Sequence, residues 1–217
     1  MSQDLYRDIT DFAHGTPGWV RLLAEVWTEA GLLLFGVLFL IGWWQRRGAD
    51  STMVAVAVLA PLGTAFGYVV SELLKSVITE ERPCRAVAGA APSLVACPPY
   101  GDWSFPSNHS AIAGAAAAAL VLVWRTIVWL TVPMALLMAF SRVFVGVHYP
   151  HDVAAGLVLG ALMAVLFVRL LTGPTRALAD SMRGSGSALA NWLAGPGPAV
   201  PEPPVRRRRR QAMHRRG

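Results

Sequence analysis

Long apolar blocks constrain the fold of this chain more than any other feature of its sequence. They lie at residues 19–44, 53–76, 108–124, 127–145 and 152–171, and about 20 apolar residues in a helix suffice to cross a bilayer. Apolar residues make up 54% of the chain and charged residues only 15%, which leaves too little polar surface to cover five such blocks in water. The sequence therefore predicts an all-α integral membrane bundle of about five transmembrane helices.

The segments before and after these blocks have a different composition. Residues 1–18 are polar and mildly acidic, with Leu5, Ile9 and Phe12 at helical spacing, which favours a short interfacial helix over a cleavable signal peptide. We expect residues 1–173 to form the membrane domain. Residues 174–217 contain many Gly, Ser, Ala and Pro residues and then five consecutive arginines at 206–210, a composition typical of a basic and largely disordered tail.

The tail allows more than one interpretation. Its arginines could bind anionic lipid head groups, or they could form a solvated tail that only anchors the topology. Nucleic-acid binding would also fit the net charge of +6, but a tail without a folded basic face is weak evidence, and we expect no nucleic-acid partner. The sequence shows no glycine-rich nucleotide loop or cysteine–histidine zinc pattern, and we expect no cofactor.

Basic residues are distributed unevenly between the two ends of the predicted bundle. Of the 19 lysines and arginines, 13 lie at the end reached after the first, third and fifth blocks: Arg46, Arg47, Arg125, Arg169, Arg176, Arg183, Arg206 to Arg210, Arg215 and Arg216. Because basic loops stay on the cytoplasmic side, we predict a plasma-membrane protein with its N-terminus outside the cell and its tail in the cytoplasm. An odd number of spans agrees with this orientation.

Three sets of polar residues border the apolar blocks. They are Lys75, which is the only lysine, with Arg82-Pro83; Pro106-Ser107-Asn108-His109; and Ser141-Arg142 with His148 and Asp152. The first set ends the second block and the second set opens the third. The 31 residues between His109 and Ser141 are enough for most of a helical hairpin that crosses the membrane and returns. All three sets are therefore predicted to meet at the outer end of the bundle.

The cationic and capping residues of these sets suit a phosphate. Lys75 and Arg82 are seven residues apart, so in one continuous helix they project from the same face, although both could equally be anchors at the membrane interface. Ser107 and Asn108 precede a helical block and could cap it, and the free N–H groups of a helix N-terminus bind anions. Arg142 supplies a third cation.

The histidines and the carboxylate suit nucleophilic chemistry. His148 and Asp152 are four residues apart, and a carboxylate on one imidazole nitrogen leaves the other free to attack phosphorus. Asp152 could instead, or in addition, complement the positive end of a helix. A metal site from His148, His151 and Asp152 is a further alternative, but the nearby cations would repel a divalent ion, so we expect no metal.

In order and spacing, the three sets resemble the signature of the type 2 phosphatidic-acid phosphatase family: Lys-x6-Arg-Pro, Pro-Ser-x-His and Ser-Arg-x5-His-x3-Asp. The resemblance implies a metal-independent lipid-phosphate phosphatase. It implies that His148 forms a phosphohistidine, that Asp152 orients His148 and that His109 protonates the leaving oxygen. It also implies that the phosphate oxygens are held by Lys75, Arg82, Ser107 and Arg142. Asn108 stands where the family usually has glycine, but its backbone N–H remains available to phosphate.

The resemblance and the predicted outward face together favour a polyprenyl diphosphate, such as undecaprenyl diphosphate, as the substrate. Phosphatidic acid and phosphatidylglycerol phosphate are alternatives within the same chemistry. A non-catalytic anionic-lipid binder or transporter is an alternative of another class, although binding alone requires no nucleophile. The vanadium haloperoxidases have a similar anion site, but they are soluble proteins.

Two further features remain open at the level of sequence. Cys84 and Cys97 could form a disulfide on an extracytoplasmic face, or they could be two free thiols. Small residues on the third and fifth blocks, among them Gly114, Gly156 and Gly160, could permit close helix contact or could leave a groove for a lipid chain.

Overall fold

The computed structural model describes residues 2–198, which form helices joined by loops and contain no strand. The α-helices are α1 (Ser2–Gly15), α2 (Gly18–Arg46), α3 (Ser51–Val77), α4 (Pro83–Ala86), α5 (Asn108–Val123), α6 (Val128–Phe144), α7 (Pro150–Gly184) and α8 (Ala188–Ala194), with a 3-10 turn at Arg125–Ile127. The predicted all-α class is confirmed.

The long helices form a bundle around α5. Within the described residues, α2, α3, the segment Arg125–Phe144 and α7 are long and apolar enough to cross a membrane, whereas α5 is apolar but shorter. With 16 residues, α5 is about 24 Å long, and it packs against α2, α3, α6 and α7. The prediction of about five membrane helices therefore holds, with α5 as a short central helix enclosed by the others.

Small residues bring α5 and α7 into close contact. A Cβ atom added at Gly160 would overlap the carbonyl of Ala111, and one added at Gly114 would overlap the carbonyl of Leu157. The middle of α5, from Ala111 to Ala119, is made mostly of alanines, and most of them are buried. Of the two alternatives for these residues, the structure contains the close helix contact and no groove between α5 and α7.

Alternating helix directions place the three sets of polar residues at one end of the bundle, which we call the site end. α3 and α6 finish at this end, and α5 and α7 begin there. α1 lies across it, where the Tyr6 hydroxyl donates a hydrogen bond of 2.9 Å to the carbonyl of Gly146 and the Tyr6 ring packs on that of Tyr149. Gly146 has a φ of +84°, a conformation that favours glycine, and it turns the chain from α6 toward α7.

The structure differs from the expectation of a disordered tail from residue 174 onward. α7 continues to Gly184 and α8 follows it. The Arg183 guanidinium donates hydrogen bonds to the carbonyls of Arg47, Ala49 and Ala194, and Trp192 packs on Trp43 with the ring centroids 5.4 Å apart. Residues 174–184 contain no apolar block, so hydropathy could not find this extension of α7. The arginines at 206–210 lie outside the described residues.

The loop from residue 87 to residue 107 joins α4 to α5 and covers the site end. A disulfide between Cys84 and Cys97 closes its first part, which decides between the two alternatives for these cysteines. Ser104 N–H donates a hydrogen bond of 2.8 Å to the carbonyl of Glu80. The covalent and backbone links hold the segment before α5 against the ends of α3 and α4.

Candidate active site

His148 and Asp152 form the buried centre of the site. Nδ1 of His148 lies 3.3 Å from Oδ2 of Asp152, and both side chains are almost fully buried. The Ser104 hydroxyl donates a hydrogen bond to the same Oδ2 and lies 3.4 Å from Nδ1. Because the carboxylate holds the proton on Nδ1, Nε2 carries the lone pair that can act as a nucleophile.

The start of α7 fixes this pair in place. Tyr149 is the N-cap of the helix, Pro150 is its first residue, and Asp152 lies in its first turn. The backbone N–H of Tyr149 donates a hydrogen bond of 2.8 Å to Oδ2 of Asp152, as in a capping box. One carboxylate therefore has both contacts that the sequence suggested, one with the helix N-terminus and one with His148.

The second nitrogen of His148 faces a cation. Its Nε2 lies 3.1 Å from Nη1 of Arg82, which also donates a hydrogen bond to the carbonyl of Val147. Burial lowers the pKa of His148 to about 3, and the charge of Arg82 acts in the same direction, whereas the hydrogen bond to Asp152 favours the charged form. The imidazole is therefore neutral at pH 7, and only the neutral form can attack phosphorus.

Lys75 and Arg82 converge on one acidic oxygen. Lys75 Nζ lies 3.0 Å and Arg82 Nη2 lies 2.8 Å from Oδ1 of Asp102. The two cations do not share a helix face, as their spacing suggested, because α3 ends at Val77 and Ile78 is extended. Pro83 is the first residue of α4. The short connection between α3 and α4 therefore brings Arg82 back toward Lys75.

Arg142 lies in the last turn of α6, and its guanidinium reaches a residue of α2. Nη1 of Arg142 donates a hydrogen bond of 2.8 Å to the hydroxyl of Thr28, and the guanidinium acts electrostatically on both His109 and His148. Nε of Arg142 is buried and has no hydrogen-bond partner among the described residues. The third cation therefore belongs to the same site and retains an unused donor.

His109 lies at the start of α5 and is paired with a carboxylate on α2. Its Nε2 atom is 3.3 Å from Oε1 of Glu29, whose side chain is 70% exposed, whereas that of His109 is 25% exposed. His109 also interacts electrostatically with Lys75 and Arg142. The second histidine therefore shares the cationic environment of His148 but lies on the more open side of the site.

Ser107 and Asn108 start α5 in the way that the sequence predicts. The Ser107 hydroxyl accepts hydrogen bonds from the backbone N–H and the hydroxyl of Ser110, and Ser107 N–H donates to the carbonyl of Asp152. The Asn108 side chain turns toward α3, where it accepts a hydrogen bond from Ser71 and donates one to Glu72. A phosphate contact of Asn108 would therefore come from its backbone N–H.

One group of side chains at the site could hold a metal ion. Ligand atoms of Glu80, His151 and Asp152 lie within 4.8 Å of one another, and Nε2 of His151 is 3.0 Å from Oε1 of Glu80 and 3.1 Å from Oδ1 of Asp152. Nε2 of His151 thus lies between the two carboxylates, while Oδ1 of Asp152 is buried and has no hydrogen-bond partner among the described residues. Arg82 contacts His148 next to Asp152, and its charge opposes the binding of a divalent ion there.

Several residues of the site were not found from the sequence. Among them are Thr28, Glu29, Glu80, Asp102 and Ser104. Thr28 and Glu29 lie in the middle of an apolar block, where polar residues are a signal of function. Asp102 and Ser104 lie in a loop without periodicity, and only their closeness to Pro106 and His109 in the sequence could have drawn attention to them.

Comparisons with known proteins place most of this chain in one family of sequences. The family model described as the PAP2 superfamily matches residues 56–176. An undecaprenyl-diphosphatase, BcrC, of Bacillus subtilis is 30% identical over 169 residues, which cover 78% of this chain and 83% of that protein. An undecaprenyl-diphosphatase of Sulfolobus acidocaldarius is 32% identical over 130 residues, and the match spans 59% of this chain and 62% of its relative's length.

A solved structure has the same fold. The crystal structure of Aquifex aeolicus LpxE superposes with a TM-score of 0.60 and 22% sequence identity, over 76% of this chain and 93% of that chain. At this level of identity the likeness concerns the arrangement of the helices.

Proposed function

This chain belongs to the PAP2 superfamily, and we propose that it is a membrane phosphatase that hydrolyses a lipid diphosphate or phosphate monoester through a phosphohistidine. A polyprenyl diphosphate is the favoured substrate. Relatives named undecaprenyl-diphosphatase support this choice. The observation that carries the proposal is the orientation of His148, whose Nδ1 faces Asp152 and whose Nε2 faces Arg82.

The proposed reaction has two steps. In the first, Nε2 of His148 attacks phosphorus, the bond from phosphorus to the leaving oxygen breaks, and His109 transfers a proton to that oxygen. In the second, water attacks the phosphohistidine, His109 accepts a proton from the water, and inorganic phosphate leaves. Asp152 keeps His148 in the required tautomer and stabilises the positive charge that develops on the imidazole.

Positive charge from the protein itself supports a reaction without a metal. Lys75, Arg82 and Arg142 would hold the phosphate oxygens and stabilise the charge of the transition state. Ser107 and the backbone N–H of Asn108 lie at the N-terminus of α5, where an anion is favoured. We propose these five residues as the phosphate-binding set and assign no role to a metal ion or other cofactor.

We further propose that the site end lies outside the cytoplasm. Arg46, Arg125 and Arg183 lie at the opposite end of the bundle, in agreement with the positive-inside rule. The disulfide between Cys84 and Cys97 also fits an oxidising compartment. In this orientation the N-terminus lies outside and the basic tail is cytoplasmic, where its arginines can meet anionic lipids.

Phosphate release by the purified protein tests the proposal. The panel contains a polyprenyl diphosphate, phosphatidic acid, phosphatidylglycerol phosphate and a water-soluble ester, all in one detergent with excess chelator. We expect the polyprenyl diphosphate to exceed the soluble ester at least about tenfold in kcat/KM, or about 1.4 kcal/mol, because its chain stays in the apolar phase.

The other outcomes are equally informative. Preference for phosphatidic acid or phosphatidylglycerol phosphate would keep the mechanism and change the lipid. Loss of activity with chelator, restored by Mg²⁺, would contradict the metal-free reaction and direct attention to Glu80, His151 and Asp152. Binding of the lipids without any turnover would indicate an anionic-lipid binder or transporter.

A further inference from the structure

Asp102 occupies the position between two of the proposed phosphate-binding cations. Its Oδ1 accepts a hydrogen bond of 3.0 Å from Lys75 Nζ and one of 2.8 Å from Arg82 Nη2. The side chains of Lys75 and Arg82 are 6% and 3% exposed, whereas that of Asp102 is 43% exposed. One oxygen of this half-exposed side chain thus accepts hydrogen bonds from two buried cations at the same time.

A phosphate oxygen would make the same contacts. Phosphate and carboxylate oxygens are both acceptors for charge-assisted hydrogen bonds, and a guanidinium binds either of them. Arg82 also lies 3.1 Å from Nε2 of His148, so an anion on this cation pair is next to the proposed nucleophile. The carboxylate of Asp102 therefore lies where the phosphate of a substrate would have to bind.

We propose that Asp102 is an internal competitor for the phosphate site and determines which anions can bind there. This inference rests on the proposed function. A substrate must displace the carboxylate from Lys75 and Arg82 before His148 can attack. A singly charged anion that displaces the carboxylate of Asp102 only replaces one negative charge with another. A phosphate dianion or a diphosphate brings more negative charge to the same two cations. Asp102 thus favours highly charged phosphates over weakly charged anions.

The backbone around Asp102 lets the side chain leave without opening the loop. Arg82 Nε donates a hydrogen bond of 2.7 Å to the Asp102 carbonyl, and Asp102 N–H donates to the carbonyl of Pro99. Gly101, with a φ of +94°, shapes the turn, and the disulfide at Cys97 fixes its start. Rotation about the side-chain bonds is therefore sufficient to release Oδ1 while Arg82 remains anchored.

The charge state of Asp102 agrees with this role. Burial alone would raise the pKa of its carboxyl, but the hydrogen bonds and charges of Arg82 and Lys75 outweigh that effect and hold the pKa below its ordinary value. The side chain is therefore ionised at neutral pH and competes as an anion.

The test compares the wild-type protein with Asp102→Asn, which keeps the size of the side chain and removes its charge. The matched control is Glu81→Gln, since Glu81 pairs with Arg85 outside the cation pair. Binding of inorganic phosphate is measured in two ways: as inhibition of turnover, and as the rise in apparent melting temperature with phosphate concentration, which requires no turnover.

We expect the inhibition constant for inorganic phosphate to fall at least about threefold in Asp102→Asn and to stay unchanged in Glu81→Gln. Without phosphate, the Asp102→Asn protein should melt at a lower temperature than wild type, because two buried cations have lost their anion. Added phosphate should then raise its melting temperature more than that of wild type. Asp102→Ala, which removes both oxygens, should change phosphate binding in the same direction.

Weaker or unchanged phosphate binding in both Asp102 variants would overturn the inference and make Asp102 a positioning residue for Lys75 and Arg82. The proposed function would stand in that case if the wild-type protein hydrolyses lipid phosphates. The wild-type protein could also hydrolyse no lipid phosphate while the Asp102 variants bind inorganic phosphate more tightly. That result would support the role of Asp102 as a competitor and contradict the proposed function.

Discussion

Nη1 of Arg82 lies 3.1 Å from Nε2 of His148, so the cation and the proposed nucleophilic nitrogen face each other directly. The same guanidinium donates to the carbonyls of Asp102 and Val147. Arg82 is thus held by the backbone on two sides and points its remaining donors at the place where phosphate would react.

The first prediction follows from the several N–H donors of the Arg82 guanidinium. Arg82→Lys keeps the charge but cannot reach all of these partners, since an ammonium is a point charge without planar geometry. We expect kcat/KM for a lipid phosphate to fall about 100-fold, or about 2.7 kcal/mol. Arg85→Lys is the matched control, because Arg85 pairs with Glu81 outside the site. Equal activity of the two variants would contradict the role of Arg82.

The second prediction concerns His109 and its partner Glu29. Glu29→Gln removes the carboxylate next to Nε2 of His109 and should weaken proton transfer to the leaving oxygen. Because the Glu29 side chain is 70% exposed, we expect a loss of only about threefold to tenfold in kcat for lipid phosphates. A substrate with a good leaving group, such as p-nitrophenyl phosphate, needs little proton donation and should lose less.

Glu25→Gln, one helical turn away on α2, is the control for this second prediction and should behave as wild type. An equal loss on both kinds of substrate would show that Glu29 does not act through the proton donor.

Much of the fold and the site could be predicted from the sequence. The apolar blocks predicted the order of the membrane helices, because a bilayer admits few other structures. His148 and Asp152 lie at the start of one helix, where their geometry follows from their spacing in the sequence. The prediction that the three polar sets meet at one end of the bundle followed from the alternation of helix directions. These predictions needed only local rules and lengths.

The remaining features depend on contacts between distant segments, which spacing does not encode. Glu29 approaches His109 across 80 positions of the chain, and Asp102 reaches Lys75 through an irregular loop. The extension of α7 depends on the Arg183 contacts with carbonyls near Arg47. None of these contacts follows a helical or strand period, so none could be found before the chain was folded.

The third prediction is a dependence of stability on pH. The pKa of His148 is about 3 in the folded protein and about 6.5 in an unfolded chain. Between these values only the unfolded state binds the proton, so this group makes the folded state less stable as the pH falls below 6.5. Well inside this interval, His148 lowers the free energy of unfolding by about 1.4 kcal/mol for each pH unit of acidification.

The measurement is the apparent melting temperature in detergent between pH 7 and pH 5. His148→Asn cannot titrate but can still donate to Asp152, so its melting temperature should fall less on acidification than that of wild type. Parallel curves for the two proteins would mean that folding does not lower the pKa of His148.

The fourth prediction is the orientation in the membrane. Single cysteines at Ala88, in the exposed loop of the site end, and at Thr126, in the turn between α5 and α6, are introduced into a protein that lacks Cys84 and Cys97. On intact cells, an impermeant thiol reagent should label position 88 and leave position 126 unlabelled until the cells are permeabilised. The reverse pattern would place the site in the cytoplasm and remove one of the arguments for a polyprenyl substrate.

The central claim is that His148 carries the phosphoryl group during turnover. Purified protein is mixed with a lipid phosphate labelled with radioactive phosphorus, quenched within the first turnovers, and digested under alkaline conditions, which preserve phosphohistidine. In the wild-type protein we predict label on the peptide that contains His148. His109→Ala should carry more label if the attack of water becomes slower than the formation of the intermediate. His148→Ala should carry none. Label on another residue, or full turnover by His148→Ala, would contradict the mechanism.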